Sequence, residues 1–487
     1  IGNDALRGLT TGYQNVAIGH RAGENMTTGY SNVYIGGYRT GYYNQTGHSN
    51  IGIGAGAINH DSNNYVNELI GIGGGAGALT AGNVGDTDGN VYVGYNAGYS
   101  NVSGSGLTFL GFKAGQNATG SNNTFIGYNA GNGTGGAAAT TGGSNTALGY
   151  NALTAFTTGG ANNAFGSGAC LSITSGARNV AVGNNSLDAL TTGTNNVAVG
   201  VSALTAADGL ERENIAIGYY AGGSINNDSA IRNVFIGEYA GYGGTGALNY
   251  SVAIGYQALH STGTNGMSGA VAIGYQAGKE VTSGTNNVFM GYLAGSSTTS
   301  GYNNTFIGYE AGNDNTTGFE NTFVGQKAGH HGDVTSHQSS QNVYVGSFAG
   351  ENLDDGSRNV AIGRGAMRAA DADGNYALSN TAVGYGALGV VTDGQYNTCI
   401  GANAGDTIGN GARNVCIGNE TNPLAQNSTN QVVIGYNISG SEDNQVTIGM
   451  NTTTIRNEFD TDNAWTQASD VRKKKNIEDA KLGLDFI

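Results

Sequence analysis

The sequence predicts an all-β fold, a parallel β-solenoid (β-roll) of about 25 short coils. The pentapeptide Asn-Val-Ala-Ile-Gly, or a close variant, recurs 25 times, and 12 of the 24 intervals between its glycines are 17 residues. The chain also contains 88 glycines but one proline and no Gly-X-Y period, which excludes collagen. A fixed period of this length is typical of stacked repeat architectures. We assign residues 1–450 to this array.

The pentapeptide has the pattern of a short β-strand. Its Val and Ile lie two residues apart, so they share one face of the strand, and the residue between them lies on the other face. Three consecutive apolar residues predict that both faces are covered. The β-branched pair and the glycine content exclude a helix. Each coil therefore contributes one strand here, and we expect a second strand and two turns to complete it.

Other positions of the coil also repeat. An Asn precedes the glycine by four residues in 19 of the 25 units, which predicts an amide ladder along one corner of the solenoid. The glycine needs either a positive φ or a close backbone approach. An Ala follows three residues later in 20 units, usually before Gly or Leu. We expect the coils to stack by parallel pairing, at about 4.8 Å per step.

Composition excludes several classes of function. The net charge of −15 argues against a nucleic-acid partner. The sequence contains no run of 18 apolar residues, so it does not predict membrane insertion. The glycine-rich segment from Gly71 to Gly75 lacks the helix that would present a phosphate site. We expect no cofactor, no metal and no substrate-processing activity.

One chain buries little apolar surface per coil, about four side chains, against the entropy of ordering a whole coil. We therefore predict a homo-oligomer. In this prediction the middle residue of the pentapeptide, an Ala, Phe or Tyr, packs against neighbouring chains.

The repeat Asn-Val-Ala-Ile-Gly-x-x-Ala resembles the head repeat of trimeric autotransporter adhesins. The resemblance covers residues 11–450 and implies a left-handed parallel β-roll wound as a homotrimer. The 17-residue unit is longer than is usual for those heads. Similar repeats also occur in phage-type tail fibres, so the repeat alone does not decide the function.

The C-terminal segment has a second signature. Residues 451–468 lose the repeat and form a transition or stem segment that contains Trp465, the one tryptophan. Residues 469–487 resemble the start of the endosialidase-type intramolecular chaperone domain of phage tail fibres and tailspikes. The matching positions are Ser469, Asp470, Arg472, Lys474, Ile477 and Glu478.

This second resemblance implies a helical domain that trimerises the fibre and then releases itself by autoproteolysis. Ser469 would be the nucleophile and Lys474 its general base. Neighbouring cations can lower a lysine pKa enough for that role. Ser469 as the N-cap of a basic first helical turn is the plainer interpretation, and the two are compatible.

Other candidate sites are open to two interpretations each. Tyr follows the repeat glycine in 10 units, and this stripe either stacks on sugar rings or, as we favour, forms a stiffening ladder. Cys399 and Cys416 share one position of adjacent coils. We favour two small buried side chains over a disulfide or a metal ring.

Two polar groups have a partial resemblance to metal sites. His330, His331, Asp333 and His337 lie in one long insert, which we interpret as a polar loop. The Asp-x-Asp-Gly turns carry Asp86 and Asp88 in one case and Asp371 and Asp373 in the other. They lack the remaining ligands of a calcium loop, so turn chemistry is the favoured interpretation.

The sequence thus predicts a structural and receptor-binding fibre of the virion or extracellular surface, trimerised by its C-terminal chaperone. A cell-surface glycan or protein would be the receptor. The alternative is a bacterial cell-surface adhesin or extracellular filament built from the same repeats. Ice or mineral binding is the weakest hypothesis, because regular Thr-x-Thr ranks are absent from the sequence.

Overall fold

The computed structural model describes residues 1–59, 66–78, 89–134, 140–244, 246, 248–263, 266–331, 338–369, 375–459, 466 and 467. Across these ranges the chain is all-β and contains no helix. No described segment is therefore a helix long and apolar enough to cross a membrane. The chain divides into unit 1, Ile1–Asn286, and unit 2, Asn287–Ile487.

In unit 1, 15 of the 17 strands are three-residue segments taken from the pentapeptides. The strands of unit 1 are β1 (Val16–Ile18), β2 (Val33–Ile35), β3 (Ile51–Ile53), β4 (Ile70–Ile72), β5 (Val91–Val93), β6 (Thr108–Leu110), β7 (Thr124–Ile126), β8 (Thr146–Leu148), β9 (Asn163–Phe165), β10 (Val180–Val182), β11 (Val197–Val199), β12 (Ile215–Ile217), β13 (Val234–Ile236), β14 (Leu248–Asn249), β15 (Val252–Ile254), β16 (Met267–Ser268) and β17 (Val271–Ile273).

Unit 2 begins with eight three-residue strands and ends in longer ones. Its strands are β18 (Val288–Met290), β19 (Thr305–Ile307), β20 (Thr322–Val324), β21 (Val343–Val345), β22 (Val360–Ile362), β23 (Thr381–Val383), β24 (Thr398–Ile400), β25 (Val415–Ile417), β26 (Thr421–Asn422), β27 (Val432–Tyr436), β28 (Ile438–Ser439), β29 (Gln445–Met450), β30 (Thr453–Glu458) and β31 (Thr466–Gln467).

Within each unit the pentapeptide strands pair in parallel and without a register shift. In β10 and β11, for example, Val180 pairs with Val197 and Ala181 with Ala198. Each coil therefore repeats its predecessor one strand spacing further along, which confirms the predicted parallel β-solenoid. Unit 2 departs from this at its end, where β30 runs antiparallel to β29 and pairs Gly449 with Thr454.

The second strand of the coil is mostly absent, so that part of the sequence prediction is wrong. Only β14 with β16 and β26 with β28 form a second pair of short strands among the described coils. Elsewhere neighbouring coils are joined outside the pentapeptide strands by single-residue parallel bridges, as between Ser357 and Leu378. Turns occupy the rest because glycine-rich segments do not favour extended pairing.

The core of each unit contains the middle residue of every three-residue strand. All of these residues are buried, and their neighbours on either side are intermediate or exposed. The prediction that the middle residue contacts other chains is therefore wrong. The coil closes around this residue, so the face that holds one side chain per strand becomes the interior. A single chain thus covers one face of each three-residue strand, and the expected cover of the other face stays a prediction.

The core keeps its volume because a large side chain at one of two positions accompanies a small residue at the other. Where the middle residue is aromatic, a glycine usually lies six residues later, as in the pairs Tyr92 and Gly98, Phe109 and Gly115, Phe125 and Gly131, Phe235 and Gly241, Phe289 and Gly295, Phe306 and Gly312, Phe323 and Gly329, and Tyr344 and Gly350. At Gly115 a Cβ atom would overlap the ring of Phe109. Where the middle residue is Ala, a large apolar residue often takes the glycine position, as in Ala181 with Leu187.

The predicted asparagine ladder is confirmed in both units. In unit 1, Nδ2 of Asn179 donates to Oδ1 of Asn162 at 3.1 Å and to the carbonyl of Gly193 at 2.9 Å. Oδ1 of Asn179 accepts from the backbone N–H of Asn196 at 3.0 Å and from its Nδ2 at 3.1 Å. The side-chain amide of Asn179 thus makes four hydrogen bonds while fully buried, and Asn397 does the same in unit 2. These bonds offset the cost of burying the amide.

The pentapeptide glycine has both properties that the sequence predicted for it. Gly183 has a φ of +139°, a conformation that side chains rarely adopt. A Cβ atom at this position would also overlap the carbonyl oxygen of Gly200 in the next coil. The stacking distance itself therefore requires glycine here.

Candidate interaction surfaces

Two columns of outward side chains cover the outer face of the sheet in each unit. Column 1 contains the first residue of each three-residue strand, and column 3 contains the third. Column 3 is aliphatic, Met or Phe in all 23 three-residue strands, and column 1 is Val, Ile, Thr or, once, Asn. Neither column contains a charged residue. Ile18, Leu110 and Leu148 remain 40–46% exposed, so this face is apolar and uncovered within one chain.

Aromatic residues that follow the glycine form a stacked ladder in unit 1. The rings of Tyr95, Phe112, Tyr128 and Tyr150 follow one another with centroid distances of 5.4, 4.9 and 5.4 Å. Their planes differ by 9–17°. The coil spacing matches the thickness of a stacked pair, so neighbouring coils place these rings face to face.

Stacking decides which ring surfaces a ligand can reach. Phe112 and Tyr128 have a ring on each face, so solvent meets mainly their edges. Gly74 and Ser167 take the equivalent places beyond the two ends of the ladder. One face of Tyr95 and one face of Tyr150 therefore have no stacked ring. This geometry favours the stiffening ladder.

Unit 2 has a shorter stack at the same position. Tyr292 and Tyr309 are parallel within 6°, and their centroids are 5.2 Å apart. On another edge of unit 1, Tyr13, Tyr30 and His48 stack at 5.1 and 4.8 Å.

The two adjacent cysteines occupy the alanine position of the core, as predicted. Cys399 pairs with Cys416 in the strand register, and both are free and buried. Interaction with Cys416 and burial raise the pKa of the Cys399 thiol well above its usual range. These groups therefore act as small apolar side chains.

Only part of the predicted histidine group lies in the described residues, because Asp333 and His337 fall outside them. Nε2 of His330 lies 3.6 Å from Oε2 of Glu310 and 3.8 Å from Oδ2 of Asp314. Burial lowers the pKa of His330, and Lys327 lowers it further. A neutral ring at these distances makes only weak polar contacts.

The other predicted site residues lie outside the described residues. This applies to Ser469 and Lys474 of the expected self-cleaving dyad, and equally to Asp86, Asp88, Asp371 and Asp373 of the Asp-x-Asp-Gly turns. The dyad remains a prediction.

One acidic group was missed by the sequence reasoning. Asp208, Glu211 and Asp228 come together from two consecutive coils of unit 1. The sequence contained two signals for this group. Asp208 and Asp228 occupy the same loop of two consecutive coils, and Glu211 takes the place of a glycine such as Gly193 in the coil before it.

Comparison of the chain with models of known protein families and with curated proteins found no match.

Proposed function

We propose that this chain is a structural fibre that associates with two further copies of itself and presents a receptor-binding surface. The observation that supports this is the uncharged apolar outer face formed by columns 1 and 3. A surface of repeated half-exposed aliphatic side chains gains free energy when it is removed from water, at roughly 25 cal/mol per Å².

A second copy of the chain is the partner that this face fits best. Its side chains recur once per coil, and only a surface with the same axial repeat can match them along many coils. A second copy has the same axial repeat because its sequence is identical. Because neither column carries a charge, association along this face would not bury an unpaired ion. The contact between chains is thus assigned to the outward residues instead of the middle residue.

The remaining parts of the proposal rest on the sequence. The signature at residues 469–487 supports a C-terminal chaperone that trimerises the fibre and cleaves itself through Ser469 and Lys474. It also favours a tail fibre on a virion over the alternative, a bacterial cell-surface adhesin or extracellular filament. A receptor glycan would stack on the end rings of the ladder, Tyr95 and Tyr150, each of which has one stacked neighbour instead of two.

The test is the mass of the chain in solution, measured by light scattering. We expect three times 49.2 kDa for the uncleaved wild type. The double variant Ile215→Lys and Ile217→Lys places two charges in the outer face and should dissociate the trimer. Intact mass spectrometry of the wild type and Ser469→Ala would show whether cleavage occurs.

Val201→Lys is the matched control, because Val201 is 47% exposed and lies after the glycine, outside the two columns. It should leave the mass unchanged. A monomeric wild type, or a trimer unaffected by the double variant, would contradict the proposed contact.

A further inference from the structure

The acidic group of unit 1 lies where two neighbouring loops meet. Asp208 and Glu211 precede strand β12, and Asp228 occupies the loop before β13. One carboxylate oxygen from each of the three residues lies within 4.8 Å of the other two. Three carboxylates at this distance repel one another unless a proton or a cation lies among them.

Glu211 is the residue that points to a ligand. Its side chain is only 1% exposed, and Oε1 has no hydrogen-bond partner among the described residues. Oε2 accepts a hydrogen bond from the backbone N–H of Gly209 at 2.9 Å. A buried carboxylate oxygen without a partner is costly, so such oxygens are normally paired or bound to a metal.

No ion pair neutralises this group in the described part of the chain. None of the three residues forms an ion pair there, and Arg232, which follows Asp228 in the chain, is engaged with Glu213 at 2.5 Å. Burial is the main cause that raises the pKa of Glu211, and the charges of Asp208 and Asp228 raise it further. The charge of a bound cation would lower the pKa of Glu211 and oppose both effects.

The backbone holds two of the three carboxylates in place, those of Glu211 and Asp228. Oδ1 of Asp228 accepts from the backbone N–H of Leu210 at 2.9 Å. A Cβ atom at Gly209 would overlap this same oxygen, so glycine is required for the approach. From the preceding coil, the Thr191 hydroxyl donates to the carbonyl of Asp208 at 2.7 Å.

We propose that Asp208, Glu211 and Asp228 form a binding site for one calcium ion, which links two consecutive coils of unit 1. All three ligands are carboxylates, and calcium accepts oxygen ligands in irregular geometry, with water or backbone carbonyls completing its shell. Zinc prefers nitrogen and sulfur ligands, which this group lacks. The site is independent of the outer apolar face and of the proposed fibre function.

Calcium titration of the chelator-treated full-length chain, followed by isothermal calorimetry, tests the assignment. We expect one saturable calcium site per chain and a rise in the melting temperature on binding. Glu211→Gln and Asp228→Asn should each weaken binding at least tenfold, because each removes a charged ligand. Magnesium should bind more weakly, because it demands near-octahedral geometry.

Glu238→Gln is the matched control, since Glu238 is an exposed Glu of the following coil, outside the group. It should bind calcium as the wild type does. Circular dichroism would verify that each variant is folded, and the exposed Asp228 makes Asp228→Asn the safer of the two. Equal binding by wild type and both folded site variants, no calcium binding by the wild type, or equal affinity for magnesium would each overturn the proposal.

Discussion

Two runs of coils in unit 1 fill the same core in opposite ways. The aromatic run, strands β5 to β7, has Tyr92, Phe109 and Phe125 as middle residues and a glycine six residues after each. The aliphatic run, strands β8 to β11, has Ala at the middle position. There the glycine is replaced by a leucine or a cysteine, namely Leu153, Cys170, Leu187 and Leu204.

The difference shows that the coil keeps the combined volume of two side chains, at the middle position and six residues later, while the volume at each position varies. Leu187 keeps the left-handed conformation of the glycine it replaces, with a φ of +51°. Such a conformation costs about 1–3 kcal/mol for a residue with a side chain, and packing against the small Ala181 offsets that cost. The stack of coils thus fixes the backbone, and the side chains adapt to it.

The largest expected loss of stability comes from placing the large residue of the aliphatic run in a coil of the aromatic run. Gly115→Leu in the aromatic run should destabilise the chain by about 3 kcal/mol, because the new side chain overlaps the ring of Phe109. Phe109→Ala alone should cost a similar amount through its cavity. The combined variant reproduces the pattern of Ala181 with Leu187, so it should recover much of the loss. Urea denaturation of the four proteins measures the coupling, and additive losses would contradict the volume exchange.

A smaller effect is expected from the asparagine ladder, which also differs between the two runs. Leu107 interrupts it in the aromatic run, whereas it is continuous from Asn145 to Asn196 in the aliphatic run. Asn179→Ala should cost about 1–3 kcal/mol, because the backbone N–H of Asn196 loses its buried acceptor.

Leu107→Asn is the control for the ladder. The N–H of Leu107 already donates to Oδ1 of Asn90 at 2.8 Å, so an Asn here would extend a ladder that has its first acceptor in place. Its unfolding midpoint should change far less than that of Asn179→Ala. Equal losses in the two variants would mean that the amide network is not what stabilises this corner.

The smallest effect is a dependence on alkaline pH around Tyr92 in the aromatic run. Burial raises the pKa of Tyr92 above its usual range, against a lowering contribution from its hydrogen bond with Asn101. The contribution of this phenol to stability is complete below the unfolded pKa of about 10 and declines as pH rises above it. Hydrogen exchange between pH 9 and 11 should show loosening around β5, reduced in Tyr92→Phe. Equal loosening around β5 in the wild type and in Tyr92→Phe would contradict this assignment.

The sequence alone was sufficient for the pentapeptide strand, its stacking and its amide ladder, although it wrongly predicted a second strand in each coil. The strand at Val180–Val182, the parallel stacking of its neighbours and the amide ladder through Asn179 all follow from period and residue type. The sequence also showed that Gly or Leu follows the repeat alanine, but not what that alternation means. Its meaning depends on a contact between two positions of one closed coil, which appears only when the coil is folded.

Two further features required the tertiary structure. A three-residue strand such as Val-Ala-Ile is apolar throughout, so alternation defines its two faces without deciding which one is buried. Closure of the coil places Ala181 inside and leaves Val182 half-exposed, which reverses the predicted contact between chains. The meeting of Asp208 with Asp228 likewise depends on how two loops of unequal coils align. The sequence determined the repeating unit, and the closed geometry of the coil decided which side chains face inward, because one face of the short strand has room for a single side chain per coil.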